Sequence, residues 1–309
     1  MLKYICKKLV FLVVLLLLIS IVVFVAIRLV PGDPVVAMLG SEVAGMSEEY
    51  LEYERERLGL NDPMYVQYFN YMKDLFRGDL GVSIRTDQPV IEIILDRYPV
   101  TIKIALLSIG LATLFGVILG IISAVKHNSV LDYIISTTSM LSISTPSFFL
   151  ALVLLLVFAL KLKVLPSMGL SSSLHYVLPV VTISVMELGY VARTTRSSML
   201  DVITQDYIRT ARAKGVPERI VFYVQALKNA LIPIVTTTGL KFGSLLAGSS
   251  IVETVFSIQG LGSLVVESIS YRDYPCVQGA VLMIAATFVV VNTVVDILYA
   301  QIDPRIRYS

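Results

Sequence analysis

Two charged residues sit inside long apolar runs of this chain. Glu187 lies in the run Tyr176–Ala192, and Lys241 lies near the middle of Ala230–Val252, within GLKFGSLLAG. A charge in hydrocarbon is expensive, roughly 2.5–3.5 kcal/mol on insertion scales, so it faces a protein interior or a water-filled cavity. Counted at about 1.5 Å per residue from the same ends of their runs, the two fall within about two turns of each other in depth. Two chemistries follow. One is an ion pair holding two helices together; the other is a polar path on which Lys241 meets an anionic group. Glu253 and Asp296 fall near run ends, where water can reach them, and a structural role is expected for both.

Catalytic chemistry finds no support. The only histidines, His127 and His175, stand at run ends without pairing on a helix face, and they read as solvated loop side chains. A Ser–His hydrolase would need a buried histidine opposite its serine. No cluster of His, Cys and carboxylates has metal-ligand spacing. No G-x-x-x-x-G-K-[S/T] stretch exists to cradle nucleotide phosphates. Cys6 and Cys276 lie in different runs and imply no disulfide framework. The chain is not expected to be an enzyme, to bind a metal or cofactor, or to contact nucleic acid.

The elements that position these residues follow from composition. Hydrophobic residues make up 56% and charged residues 16% of the 309, with mean hydropathy +0.81. Six runs are long enough to cross about 30 Å of hydrocarbon: Leu9–Ile27, Pro99–Val125, Tyr133–Leu160, Tyr176–Ala192, Ala230–Val252 and Cys276–Gln301. With no alternating strand pattern, the expectation is an all-α polytopic membrane protein of six spans. The first run is too long for a signal peptide and lacks a small-x-small site, so it reads as an uncleaved anchor. Pro146 interrupts the third run beside Ser147, and Pro179 and Pro233 do likewise in the fourth and fifth. Gly239, Gly243 and Gly248, with Ser244, permit close helix approach in the fifth.

Lysine and arginine placement sets orientation. Lys3, Lys7, Lys8, Lys126, Arg305, Arg307 and the basic residues between Arg193 and Lys228 fall on one side, against Lys161, Lys163 and Arg272 on the other. Both termini and the loop between spans four and five are therefore expected in the cytoplasm. The long first loop, Pro31–Tyr98, lies outside. Ser47 can cap a helix opening with Glu48 and Glu49 and closing at Gly59, and Asp62-Pro63 can open a second that ends at Gly78. Between Glu42 and Asp79 the balance is −5, which suits either a solvated cap or a docking surface for a soluble partner.

The segment Gln205–Pro233 is a charged element between two apolar runs. Asp206 fits the first turn of a helix that ends at Gly215, Pro217 stops it, and Pro217 with Glu218 can open another. A built element in place of a short loop suggests a docking device.

The stretches RLVPGDP (Arg28–Pro34), GDLGVSIRTDQP (Gly78–Pro89), RYPVT (Arg97–Thr101), ARTTRSSML (Ala192–Leu200), DYIRTARAKG (Asp206–Gly215), LKNALIP (Leu227–Pro233), VETVFSIQGLG (Val252–Gly262) and DILYAQIDPR (Asp296–Arg305) occur in this order. In that order and spacing the chain resembles the first permease subunit of the dipeptide/oligopeptide/nickel ABC importers. The resemblance implies a type I importer fold in the bacterial inner membrane. It implies a homologous second permease, two ATPase subunits carrying ATP and Mg, and an extracytoplasmic binding protein as partners. It further implies a division into residues 1–97, the first helix plus the outer insert, and residues 98–302, the permease domain with its coupling loop at 196–229.

Under that resemblance Asp206, Tyr207, Ile208, Arg209, Thr210, Ala211, Arg212, Ala213, Lys214 and Gly215 form the coupling helix. Ala211, Ala213 and Gly215 let a partner groove approach closely, Tyr207 and Ile208 anchor it, and Arg209, Arg212 and Lys214 supply charge at the rim. The broader importer pattern places Glu-Ala-Ala where Arg209, Thr210 and Ala211 stand, so contacts in sugar importers do not transfer. Pro146, Ser147, Glu187, Lys241 and Ser244 are assigned to the translocation path. Peptides are the expected cargo. A nickel or metallophore importer is the alternative, and an ion-coupled secondary transporter would require internal repeats that are absent here.

Overall fold

The computed structural model describes residues 2–29, 35–36, 47–57 and 59–302. Most of RLVPGDP, Arg305, Arg307 and the side chains of Cys6 and Asp296 lie outside the described residues. The described residues are mostly helical, with no strand among them and one isolated bridge between Val82 and Pro89.

Helix α1 covers Leu2–Arg28. The insert contributes α2 (Glu48–Arg57) and α3 (Met64–Phe76). As the sequence predicts, the Tyr50 amide donates to Ser47 Oγ at 3.3 Å, and Gly59 takes the left-handed φ of 65° that ends the turn.

Helix α4 runs over Val90–Val125, opening at Pro89 and carrying Pro99 inside it. It starts nine residues before the apolar run, because Val90 and Ile94 are buried while Glu92 and Asp96 face outward. The third run is not one rod. Helices α5 (Val130–Ser144) and α6 (Ser147–Leu154, wound on as a π-helix to Lys161) meet at 102°. The residue before a proline is pushed out of the helical region, and Thr145 and Pro146 are both extended, with ψ of 124° and 139°.

Helix α7 spans Val177–Ile203, well beyond the apolar run, because Thr195, Ser198 and Met199 continue its buried face. Then come α8 (Asp206–Ala213), α9 (Glu218–Ile220) with a π-helical stretch Val221–Ala226, and α10 (Leu227–Gly248). Two short helices, α11 (Ser250–Val255) and α12 (Leu261–Ser270), precede α13 (Tyr274–Ile302). Among the described residues five helical stretches are long and apolar enough to cross a membrane, or six if α5 and α6 count as one bent span.

Small residues let the central helices touch. A Cβ on Gly120 of α4 would lie 2.6 Å from the Ala192 carbonyl of α7. Gly239 of α10 faces Val295 of α13 with no room for a side chain. The apolar core is layered along the bundle. One cluster gathers Val90, Ile94, Leu261, Leu264, Cys276 and Ala280 at the insert end. A middle one includes Ile109, Leu178, Ile183 and Leu246, and a third gathers Ala124, Met199, Ile208, Val221, Ala230 and Ile234 at the α8 end.

Candidate functional site

Helix α8 is bounded as its sequence dictates. Gln205 is extended before it, Gly215 has φ 77° after it, and Pro217 opens α9. Ile208 is fully buried and Ala211 nearly so, while the other residues of α8 face outward. That corrects two expectations. Ile208 is no anchor for a partner, since its side chain is already spent in the third core cluster, and Ala211 meets this chain's own bundle. The free face carries Tyr207, Arg209, Thr210, Ala213 and Lys214. Asn229 Nδ2 donates to the Tyr207 hydroxyl at 2.8 Å, and Arg212 Nε donates to Glu218 Oε1 at 2.8 Å, so the turn is braced from α9 and α10.

A buried clamp stands at the same end. Arg196 of α7 donates through Nε and Nη2 to the two Asp132 oxygens of α5, at 2.7 and 2.8 Å. Ser123 of α4 donates to the same carboxylate, and the Asn128 amide adds a bond at 3.0 Å. His127 Nδ1 lies 3.1 Å from Arg196 Nη2, so this histidine borders the clamp and is not the free loop side chain that its position suggests. Arg196 reads in sequence only as one more positive charge.

In the apolar layer Lys241 Nζ lies 3.4 Å from Glu187 Oε2, with Glu187 buried. The ammonium also stands 3.2 Å from the Tyr190 ring centroid. The structure brings the two intramembrane charges together, joining α7 to α10. Ser244 and Pro146 reach the surface of the chain, and Ser147 is half-buried.

At the insert end, Glu253 has no exposure, so water does not hydrate it as its position near a run end suggested. It receives Thr101 Oγ1 at 2.8 Å, Ser249 Oγ at 2.9 Å and the Ser263 amide at 2.9 Å. Thr101 Oγ1 in turn accepts from the Leu261 amide at 2.8 Å. The carboxylate thus sits at the start of α12, where orphan amides and the helix dipole favour an anion. A Cβ on Gly260 would lie 2.5 Å from it, which explains that glycine.

Nearby, Glu267 pairs with Arg85 and with Arg97 at 3.0 Å. Burial pushes the Glu267 carboxyl up, yet hydrogen bonds from Arg85 and Arg97 outweigh it and hold the group below its ordinary value. Asp273 accepts from Ser83 Oγ at 2.5 Å. A cavity of about 520 Å³ opens here, lined in part by Gln88, Asp96, Arg97, Ser257 and Gln259. Three of the quoted motifs therefore converge on one place.

Residues 116–308 match the family model described as binding-protein-dependent transport system inner membrane component, and residues 1–105 match the model of that component's N-terminal region. The chain belongs to this family of inner-membrane permeases. It is a transport component of an ABC importer and not an enzyme. The permease is 42% identical over 309 residues, all of both chains, to the glutathione transport system permease protein GsiC of Escherichia coli O6:H1. It is 41% identical over the same length to GsiC of strain K12, and 42% identical to that of Salmonella choleraesuis. Among solved structures, the MetNI methionine ABC transporter in inward-facing conformations matches with TM-score 0.58 and 20% identity, over 69% of this chain and 97% of that one. An amino acid ABC transporter with histidines matches at 0.54 and 18%, over 70% and 94%. The last two show the permease fold alone.

Proposed function

We propose that this permease forms half of a translocation path for short peptides, driven by ATP hydrolysis on separate subunits. Supporting the cargo, relatives aligned along their whole length are glutathione transport system permeases. A homologous second permease supplies the other half, two ATPases carry ATP and Mg, and a binding protein delivers substrate at the insert. The α8 end, rich in arginine and lysine, faces the cytoplasm together with both termini. The proposed units are residues 1–97 and 98–302, with the coupling loop at 196–229. The path is bounded by Pro146, Ser147, Glu187, Lys241 and Ser244, and the polar cavity at Arg97 is its outer mouth.

One observation carries the reading: α8 is a short capped helix with one face rooted in the bundle and the other free. A loop needs neither. The free face fits an ATPase groove, with Ala213 and Thr210 as small residues and Arg209 and Lys214 at the rim. Ala213→Arg and Thr210→Arg should abolish uptake of labelled glutathione and of dipeptides by the reconstituted complex while the permease still assembles in the membrane. Normal binding-protein-stimulated ATP hydrolysis by both variants would sink the assignment. Uptake of nickel in place of peptides would transfer the cargo to the metal branch.

A further inference from the structure

Two charges in the outer part of α4 have no ionic partner among the described residues. Asp96 is exposed and lines the cavity of about 520 Å³, and its side chain makes no hydrogen bond or ion pair there. Lys103 is exposed as well, and no carboxylate pairs with it; its Nζ stands 4.1 Å from the Tyr176 ring centroid. A ring face holds an ammonium in place without cancelling its charge. Neighbouring charges are already engaged. Arg85 and Arg97 hold Glu267, Asp273 holds Ser83, and Glu253 holds the start of α12.

Asp96, Val100 and Lys103 stand at i, i+4 and i+7, which is one face of a helix. Val100 lines the same cavity as Asp96, and so does Leu170. Val100, Leu170 and Tyr176 pack against one apolar cluster, so the Lys103–Tyr176 contact adjoins the cavity wall. Side chains on a helix lean toward its N-terminus, which for α4 is the cavity end. Across the opening the Gly169 amide donates to the Phe256 carbonyl at 3.0 Å, and Ser257 and Gln259 continue that wall. The enclosed volume falls in the range of small-ligand sites, about 300–1,000 Å³.

Depth agrees with a watered mouth. In the proposed orientation Lys103 lies 22 residues before the inner end of α4 at Val125. That is about 33 Å along a helix, the outer edge of a hydrocarbon layer about 30 Å thick. The seven residues from Asp96 to Lys103 span about 10.5 Å. An extended chain covers about 3.3–3.6 Å per residue, so the spacing matches the ends of a peptide of about three residues, and the lysine stem reaches for a shorter one.

We infer that Asp96 and Lys103 form a two-point substrate contact at the outer mouth, Asp96 receiving the ammonium end and Lys103 the carboxylate end of a short peptide. The inference rests on the peptide reading proposed above. It makes the permease itself a reader of peptide termini, with Gln88, Ser257 and Gln259 left to meet the backbone between them.

The test uses the complete importer reconstituted in vesicles with saturating binding protein, and labelled dialanine and trialanine as probes. Asp96→Asn and Lys103→Gln should each lower uptake about tenfold, the scale of one lost hydrogen bond to a charged group. Half-saturation of ATP hydrolysis by the binding protein should stay at the parent value, so more ATP is consumed per peptide delivered. Lys103→Arg should recover most of the uptake. Parental uptake by both neutral variants would leave the two charges to lipid headgroups and overturn the inference. A shift in binding-protein half-saturation that accounts for the lost uptake would assign them to docking and overturn it equally. If the parent importer takes up neither probe, the peptide reading itself fails and the inference falls with it. The two variants lie two turns apart, so a folding defect in one leaves the other to decide.

Discussion

Arg196 grips Asp132 with two parallel hydrogen bonds, Nε to Oδ1 at 2.7 Å and Nη2 to Oδ2 at 2.8 Å. The fork of a guanidinium matches a carboxylate in this way and a lysine cannot reproduce it. Because Ser123 shares the same carboxylate, one anion ties α4, α5 and α7 together at the α8 end of the bundle.

Breaking that clamp should be costly. Arg196→Met leaves Asp132 charged and buried, and loss of one partner of such a pair costs about 3–5 kcal/mol. The melting temperature of the purified permease should fall markedly, and Arg196→Lys should recover only part of the loss. Equal stability of Arg196→Met and the parent would contradict a clamp.

The pair Glu187–Lys241 predicts a compensating double variant. Lys241→Met alone strands a buried carboxylate and should destabilise the permease. Adding Glu187→Gln should restore much of the loss, because a neutral pair is cheaper to bury than a lone charge. Thermal stability of the two singles and the double, beside an uptake assay, reads the coupling directly. If Lys241→Met keeps full stability but lowers uptake, the lysine serves the path and does not brace the helices.

Glu253 should tolerate almost nothing. Glu253→Gln replaces an acceptor with a donor that must face one of Thr101, Ser249 or the Ser263 amide, each of them already donating. Hydrogen bonds to a charged group are worth about 1.5–3 kcal/mol each, so a loss of that order is expected. Gly260→Ala should be comparably harmful through the 2.5 Å approach, and limited proteolysis of the 256–260 loop would expose it. Unchanged protease resistance in both variants would refute the capping role.

Acid should loosen the insert end through Glu267. Its carboxyl is held below its ordinary 4.5 in the folded permease. The resulting stability is complete above about pH 4.5 and is lost as pH falls through the lower folded value. Glu267→Gln should therefore flatten part of the acid limb of a melting-temperature profile. The side chain is about a third exposed, so the effect is modest and shrinks in high salt. Parallel profiles for parent and variant would remove the ion pair from the account.

The spans were legible because about twenty consecutive apolar residues have few alternatives, and the α8 turn was legible because Gly215 and Pro217 are local signals. Boundaries failed where charge and burial part company. Asp96 and Arg97 end the apolar run, but Ile94 and Val90 keep α4 helical through the charged turns. Pro146 marked an interruption, whereas the 102° turn depends on Thr145 also being extended. The hydrogen bond between Thr101 and Glu253 joins positions 152 residues apart, and no periodicity reports that. The inward face of α8 was missed for a similar reason: which side of an eight-residue helix is buried depends on Val221 and Ala230, which arrive later in the chain.

Burial of Ile208 has a mechanical consequence. A surface helix held only by its two flanking turns would peel away under a sideways pull. Here the pull acts on a peg set into the same close-packed layer as Met199 of α7 and Ala230 and Ile234 of α10, and such a layer yields little before it shifts as a block. Displacement of α8 is therefore geared to rotation of the helices behind it, with little slack lost at the joint.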